Sequence, residues 1–188
     1  MVAEMVAAAP KKWTYDELPH DEEHPVECYD GELFDMTSPL IQHQRIVLRL
    51  VMAIENWVQT NGGEVFVGPV DLLIAPSRFL VPDLCFYSAA RAGERIERED
   101  GRCLVSPPDL VVEVVSPSTA RNDRVRKMRI YAAFEVSNYW IIEPERGTVE
   151  AFSLRDNSYF LQDGFADEDT LRAPFFPGLE LPLQTIFI

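Results

Sequence analysis

Residues Asp109-Leu110-Val111-Val112-Glu113-Val114-Val115 most constrain how this chain can fold. The run is almost continuously apolar and rich in β-branched side chains. A strand that presents apolar groups on both faces belongs in the centre of a sheet, covered on each side. Ser116-Pro117-Ser118-Thr119 ends the run. A helix is expected over about Asn122 to Phe134, and Tyr139-Trp140-Ile141-Ile142 reads as the next strand. These elements point to an α/β domain.

The rest of the chain fits around that strand. Thr14-Tyr15-Asp16-Glu17 has the spacing of a capping box opening a short helix. Val26 to Tyr29 and Glu32 to Met36, joined by Asp30-Gly31, read as a β-hairpin. From Leu40 to Thr60 the stripe Ile46, Val47, Leu50, Val51, Ile54, Trp57, Val58 gives the clearest helix, stopped by Asn61-Gly62-Gly63. Strands are expected over Glu64 to Gly68, Val70 to Ala75 and Phe79 to Tyr87, with Pro82 marking an edge or bulge in the last. Residues 89–103 read as a polar excursion, Val149 to Leu154 as a hairpin strand, and the end of the chain as short strands and turns reaching Leu183 to Phe187. Residues 1–13 are expected to be a flexible tail and residues 14–188 one domain.

Composition narrows the class. Among 188 residues, 47% are hydrophobic and 26% charged, as in a globular protein with a core. No apolar run approaches the ~20 residues of a membrane helix. Three cysteines without close spacing suit reduced thiols, and with no export signal the expected location is the cytoplasm. The net charge of −14 argues against a basic, nucleic-acid-gripping surface. That charge is unevenly placed. Residues 1–35 hold ten acids and two bases, residues 156–188 six acids and one base, and the middle 15 acids against 14 bases. Arg121, Arg124, Arg126, Lys127 and Arg129 cluster in the expected helix.

No Gly-rich phosphate loop, GxSxG, HExxH or CxxC is present, and His20, His24 and His43 are too few for histidine-built catalysis. Three features remain. Glu113 places a carboxylate in the most apolar strand, where it needs a partner. On the strand alone, a carboxylate satisfied by amides or arginine and a functional one are equally good readings. Asp83 follows Pro82 where a bulge can re-aim a side chain, but by itself an Asp that hydrogen-bonds a turn is the better reading. Lys127 is the only lysine from Phe34 onward, in a body that otherwise uses arginine. A site that needs a compact ammonium cannot take a guanidinium; the commoner alternative is a solvated helix lysine. Together, two carboxylates on neighbouring strands and a nearby lysine make a minimal kit for metal-dependent phosphodiester hydrolysis.

The strings Tyr29-Asp30-Gly31-Glu32-Leu33, Ser38-Pro39 with His43, Val81-Pro82-Asp83-Leu84, Pro108 to Thr119, Asp123 with Lys127 and Tyr131, and Tyr139 to Pro144 resemble the Uma-type putative restriction endonuclease family, a branch of the PD-(D/E)xK nuclease superfamily. The resemblance implies a restriction-endonuclease-like core, a mixed sheet flanked by helices, with added hairpins at both ends. It implies a DNA endonuclease in which Asp83 and Glu113 hold Mg²⁺ or Mn²⁺ and Lys127 assists the attacking water. The usual lysine position two residues after the Glu is Val115, so the lysine is expected from the following helix. Glu32, His43 and Tyr131 are expected to line the site, and Arg121, Arg124 and Arg126 to meet the DNA backbone. A homodimer follows by analogy with restriction enzymes. The rival readings are a non-catalytic interaction protein on the nuclease fold and a hydrolase using Ser116 or Ser118, which lacks a base and an elbow.

Overall fold

The structure is a computed structural model describing residues 11–18, 25–92, 96–117 and 119–188. His20, His24, Ser118 and the first ten residues of the expected tail lie outside the described residues. Strands β1 (Val26–Tyr29) and β2 (Glu32–Asp35) pair through Asp30-Gly31. Both turn residues have positive φ, 54° and 85°, as a type I′ turn demands. Helix α1 (Ile41–Asn61) follows, then β3 (Glu64–Val67), β4 (Asp71–Ala75), β5 (Arg78–Leu80), β6 (Leu84–Tyr87), a short α2 (Ala89–Ala92), β7 (Cys103–Leu104) and β8 (Leu110–Val114). A π-helical stretch, Asn122–Lys127, runs straight into α3 (Met128–Ala133). The chain closes with β9 (Asn138–Glu143), β10 (Thr148–Arg155), β11 (Ser158–Ala166), β12 (Thr170–Leu171), β13 (Leu181–Pro182) and α4 (Leu183–Ile186).

The main sheet has the order β11-β10-β9-β8-β6-β3, and β8 and β9 are its parallel pair. A second sheet runs β2-β1-β5-β4-β7. Strand β8 lies inside the main sheet and is buried along its whole length. Alternation divides its side chains between two cores. Val112 and Val114, with Leu84 and Phe86 of β6, pack against Ile46, Leu50 and Ile54 of α1. Val111 and Val115, with Cys85 and Tyr87, pack against Tyr131 of α3 and Leu72 and Leu80 of the second sheet. The main sheet is therefore covered by a long helix on one face and by a helix and a smaller sheet on the other. All three cysteines are free and buried.

Several elements differ from the sequence expectation, each for a physical reason. The expected strand Phe79 to Tyr87 is two strands in different sheets, broken at Val81-Pro82-Asp83. Proline has no N–H for a ladder, and the Val81 N–H turns to the Glu27 carboxylate at 3.1 Å. The acidic tail holds a nine-residue strand, β11, whose mostly exposed side chains leave no alternating pattern to read. Leu183–Ile186 is helical rather than extended. Pro182 stands at its N-cap, and Leu183 and Ile186 bury one face of the single turn.

The two faces of α1 make opposite demands. Leu50 is fully buried and Leu48 is 59% exposed. Leu50→Ala is expected to cost about 2–5 kcal/mol of stability. Leu48→Ala is expected to stay within about 0.5 kcal/mol of wild type. Urea unfolding midpoints of both variants check the assignment, and equal midpoints would contradict it.

Candidate active site

Strand β8 carries Glu113 into the core on the face it shares with Val111 and Val115. The residue is 4% exposed. Its two oxygens each lie 3.1 Å from Lys127 Nζ, and Oε1 accepts the Tyr131 hydroxyl at 2.7 Å. Lys127 ends the π-helical stretch and is itself 5% exposed. The wider register of that stretch belongs to a class of local distortion common at functional sites. Asp123, one turn earlier, brings Oδ1 to 3.5 Å from the ammonium.

A further carboxylate arrives from the N-terminal hairpin. Glu27 of β1 sets Oε1 2.8 Å from Lys127 Nζ and accepts the Tyr29 hydroxyl on Oε2 at 2.6 Å. Asn122 Nδ2 donates to that hydroxyl at 2.9 Å. Thus Glu27, Glu113 and Asp123 surround one ammonium, all four groups buried. If every carboxylate is ionised, negative charge exceeds positive in a place with little water.

The electrostatics follow from that imbalance. Burial pushes the Glu113 carboxyl well above its ordinary range; the Lys127 ammonium pulls it back, and the charges of Asp123, Asp83 and Glu27 push it further. Burial also raises Asp123, again against the pull of Lys127. Burial alone would lower Lys127, but Glu113, Glu27 and Asp123 outweigh it and hold the ammonium well above its usual value. Lys127 is a fixed cation here, not a proton acceptor.

Asp83 stands beside this cluster. Leu84 of β6 pairs with Val112 of β8, so Asp83, one residue earlier, stands across from Glu113. Its Oδ2 accepts the Val114 N–H at 2.7 Å, and its Oδ1 faces His43 Nε2 of α1 at 3.0 Å. Among the described residues the buried Nδ1 of His43 has no hydrogen-bond partner. Gly68 lets the segment through: a Cβ there would sit 2.9 Å from the Pro82 carbonyl oxygen. Among the described residues no group of three or more His, Cys, Asp or Glu side chains is arranged to hold a metal ion.

Other sequence candidates lie elsewhere. Glu32 is exposed and pairs with Lys12 at 3.0 Å rather than with the buried ammonium. Arg124 is bound to Glu150 and, at 2.9 Å, to Glu143. Arg126 stacks over Tyr29 and Phe34, 3.8 and 4.7 Å from the ring centroids. Arg121 is exposed. Asp109 is tied to the Ser88 N–H and to Arg91.

The model of the Uma2 family, described as "Putative restriction endonuclease", matches residues 14–184. The chain belongs to the Uma2 family. An uncharacterised Synechocystis protein, slr1290, is 25% identical over 183 residues, covering 95% of this chain and 90% of its own length. A crystal structure from Anabaena variabilis, described as a putative nuclease belonging to DUF820, matches with a TM-score of 0.74 and 21% identity. That match covers 93% of this chain and 97% of the other, and it establishes the fold. In this Uma2 chain the mixed sheet flanked by helices is the architecture the motifs implied.

Sequence reasoning missed Glu27. In Val26-Glu27-Cys28-Tyr29 it alternates like any solvent-facing strand residue. The burial of β1 under the helix carrying Lys127 makes it part of this Uma2 cluster.

The charge imbalance has measurable consequences for the ion-free protein. Lys127→Met leaves three carboxylates without their cation and is expected to cost about 3–5 kcal/mol near neutral pH. Glu113→Gln is expected to do the reverse. A carboxyl raised in the folded state costs nothing below its unfolded pKa, costs progressively more as pH rises above that value, and costs most above its folded pKa. The gain from Glu113→Gln should therefore be largest at alkaline pH and vanish near pH ~4. Melting curves across pH decide it; a Gln variant less stable than wild type at high pH would contradict the assigned direction.

Proposed function

We propose that the chain is a metal-dependent DNA endonuclease. The carrying observation is the buried Lys127 ammonium between carboxylates, with Asp83 on the neighbouring strand, in a chain of the Uma2 family. A buried excess of carboxylate over ammonium is a poor way to stabilise a fold. It is a sound way to prepare a place for a divalent cation.

The donor set suits such an ion. Asp83 and Glu113 offer carboxylate oxygens only, and Mg²⁺ takes hard oxygen ligands from one or two carboxylates while keeping waters and binding substrate phosphate. Among the described residues no three His, Cys, Asp or Glu side chains are grouped to hold an ion, so water and substrate phosphate would have to complete the shell. Mg²⁺ or Mn²⁺ would polarise the scissile phosphate and acidify the attacking water.

The chain's own groups do the rest. The Val114 N–H and His43 Nε2 hold both oxygens of Asp83. The Tyr131 hydroxyl orients Glu113. Lys127, held protonated by its neighbours, donates to the attacking water and balances charge growing on the phosphate. Among the three arginines expected to meet DNA, Arg121 is the exposed one, while Arg124 and Arg126 serve internal contacts. The phosphate contact is therefore assigned to Arg121, with Arg129 exposed on the same helical segment. Two copies would be needed to cut both strands, and a homodimer in the cytoplasm is part of this reading.

Cleavage of supercoiled plasmid in Mg²⁺ or Mn²⁺ tests the proposal. Asp83→Asn and Glu113→Gln are expected to abolish it. Lys127→Arg, which keeps the charge and the fold but not the compact geometry, is expected to slow it by about 10²–10⁴-fold. Purified wild-type protein that cuts neither DNA nor RNA with either ion would leave the non-catalytic reading in its place.

DNA binding gives a second test. Arg121→Ala is expected to lower the salt slope of binding by about one. Arg124→Ala is expected to leave that slope unchanged and lower the melting temperature instead, because it takes the cation from Glu150 and leaves Glu143 only its exposed partner Arg146. Equal slopes for Arg121→Ala and wild type would remove Arg121 from the interface.

A further inference from the structure

Glu27 belongs to none of the motifs that the proposed chemistry uses, yet it is the carboxylate nearest the ammonium. Its Oε1 lies 2.8 Å from Lys127 Nζ, against 3.1 Å for each Glu113 oxygen and 3.5 Å for Asp123 Oδ1. The same Oε1 accepts the Val81 N–H at 3.1 Å, and Oε2 accepts the Tyr29 hydroxyl at 2.6 Å. Both oxygens are thus fixed, one of them by the backbone of the segment that carries Asp83. Glu113 is held differently. Among the described residues its oxygens meet only side-chain donors, the Lys127 ammonium and the Tyr131 hydroxyl. Of the two carboxylates closest to the ammonium, Glu27 is anchored and Glu113 is able to turn.

An ammonium has three donors on one flexible stem. It cannot keep both Glu113 oxygens while a divalent cation takes one of them. Released into a buried site with no other acceptor, it would be an unpaired charge, which is heavily penalised. Glu27 and Asp123 remain as acceptors on either side.

We propose that Glu27 is a positioning residue of the site: it retains the Lys127 ammonium, with Asp123 as the second acceptor, while Glu113 turns toward a divalent cation. The inference rests on the metal-dependent reading above. It makes the ammonium a shared group rather than a permanent partner of Glu113. Through Val81, Glu27 also ties the ammonium to the segment bearing Asp83, so the two sides of the site move as one.

Calorimetric titration of the full chain with Mn²⁺ and with Mg²⁺ tests this without reference to activity. Glu27→Gln keeps the shape of the side chain and an oxygen for the Val81 N–H. It is expected to weaken cation binding by about 10–100-fold while the ion-free protein still melts cooperatively. Tyr29→Phe, which removes only the hydroxyl that fixes Glu27 Oε2, is expected to shift affinity the same way by a smaller factor. In a Lys127→Gln background, Glu27→Gln should have no further effect, because no ammonium is left to retain. Unchanged affinity in Glu27→Gln would overturn the proposal. So would an equal loss in the Lys127→Gln background, which would make Glu27 a direct ligand. A wild-type chain that binds neither ion overturns both this inference and the metal-dependent reading. The expected affinity pattern without any DNA cleavage supports the inference and overturns the nuclease reading alone.

Discussion

One ammonium holds together parts of the chain that are distant in sequence. Lys127 Nζ reaches Glu27 in the N-terminal hairpin, Glu113 in the central strand of the main sheet and Asp123 in its own helical segment. No apolar contact could do this, because burial attracts any greasy surface to any other, whereas the carboxylates require a cation at one point. The lysine therefore fixes how the small sheet and the helix sit on the face of the main sheet opposite α1. Its neighbours are recruited to the same task. Tyr29, Tyr131 and Asn122 each give a donor to a carboxylate or to a hydroxyl that serves one.

Such an arrangement is expensive. Three buried carboxylates about one cation leave a surplus that apolar residues of equal volume would not carry. The surrounding fold has to supply the stability that the cluster withholds. It does so with two apolar cores, one on each face of β8, including the ring cluster of Trp57, Phe86, Phe175, Phe176 and Trp140 on the α1 side. The division of labour is spatial: the α1 face is apolar, while the opposite face mixes apolar packing with the charged cluster. Asp83 stands where the two meet, with His43 of α1 on one oxygen and the backbone of β8 on the other. The broken strand at Pro82 makes that position possible, since a continuous strand would leave Asp83 in a ladder.

The sequence made the centre of this architecture legible and its edges obscure. β8 announced itself through unbroken apolar character, and Glu113 within it through contrast. Lys127 stood out because the rest of the body uses arginine. Asp83 was visible through the proline before it. Glu27 and Asp123 carry no such contrast, since an acid in a short hairpin strand or a helix start is ordinary; only tertiary packing buries them. Glu32, the first residue after the hairpin turn, pairs directly with Tyr29, but it stands on the edge strand β2 beside the turn, where it is exposed and meets Lys12. Arginines in a row looked like one basic surface. The helical register instead sends Arg124 to two glutamates and Arg126 onto two aromatic rings, and no count of charges can reveal that. β11 was hidden for the opposite reason: an exposed edge strand needs no apolar pattern, only a partner, and β10 provides it.

The net charge of −14 takes on a different meaning once its carriers are placed. Part of the balanced middle of the chain is spent internally, where arginines pair with glutamates and Lys127 lies among carboxylates. These clusters take up more acids than bases, so they do not make the segment's remaining balance more negative, but they remove Lys127 and Arg124 from the cations a polyanion could meet. Under the proposed function, attraction of DNA by a broad basic surface is not available. Approach must depend on a few exposed arginines and on a divalent cation that turns two carboxylates from a repulsive pair into a phosphate-binding point. Affinity and catalysis then share one requirement. A chain of this charge would hold DNA weakly without the ion and would bind it most firmly where it can also be cut.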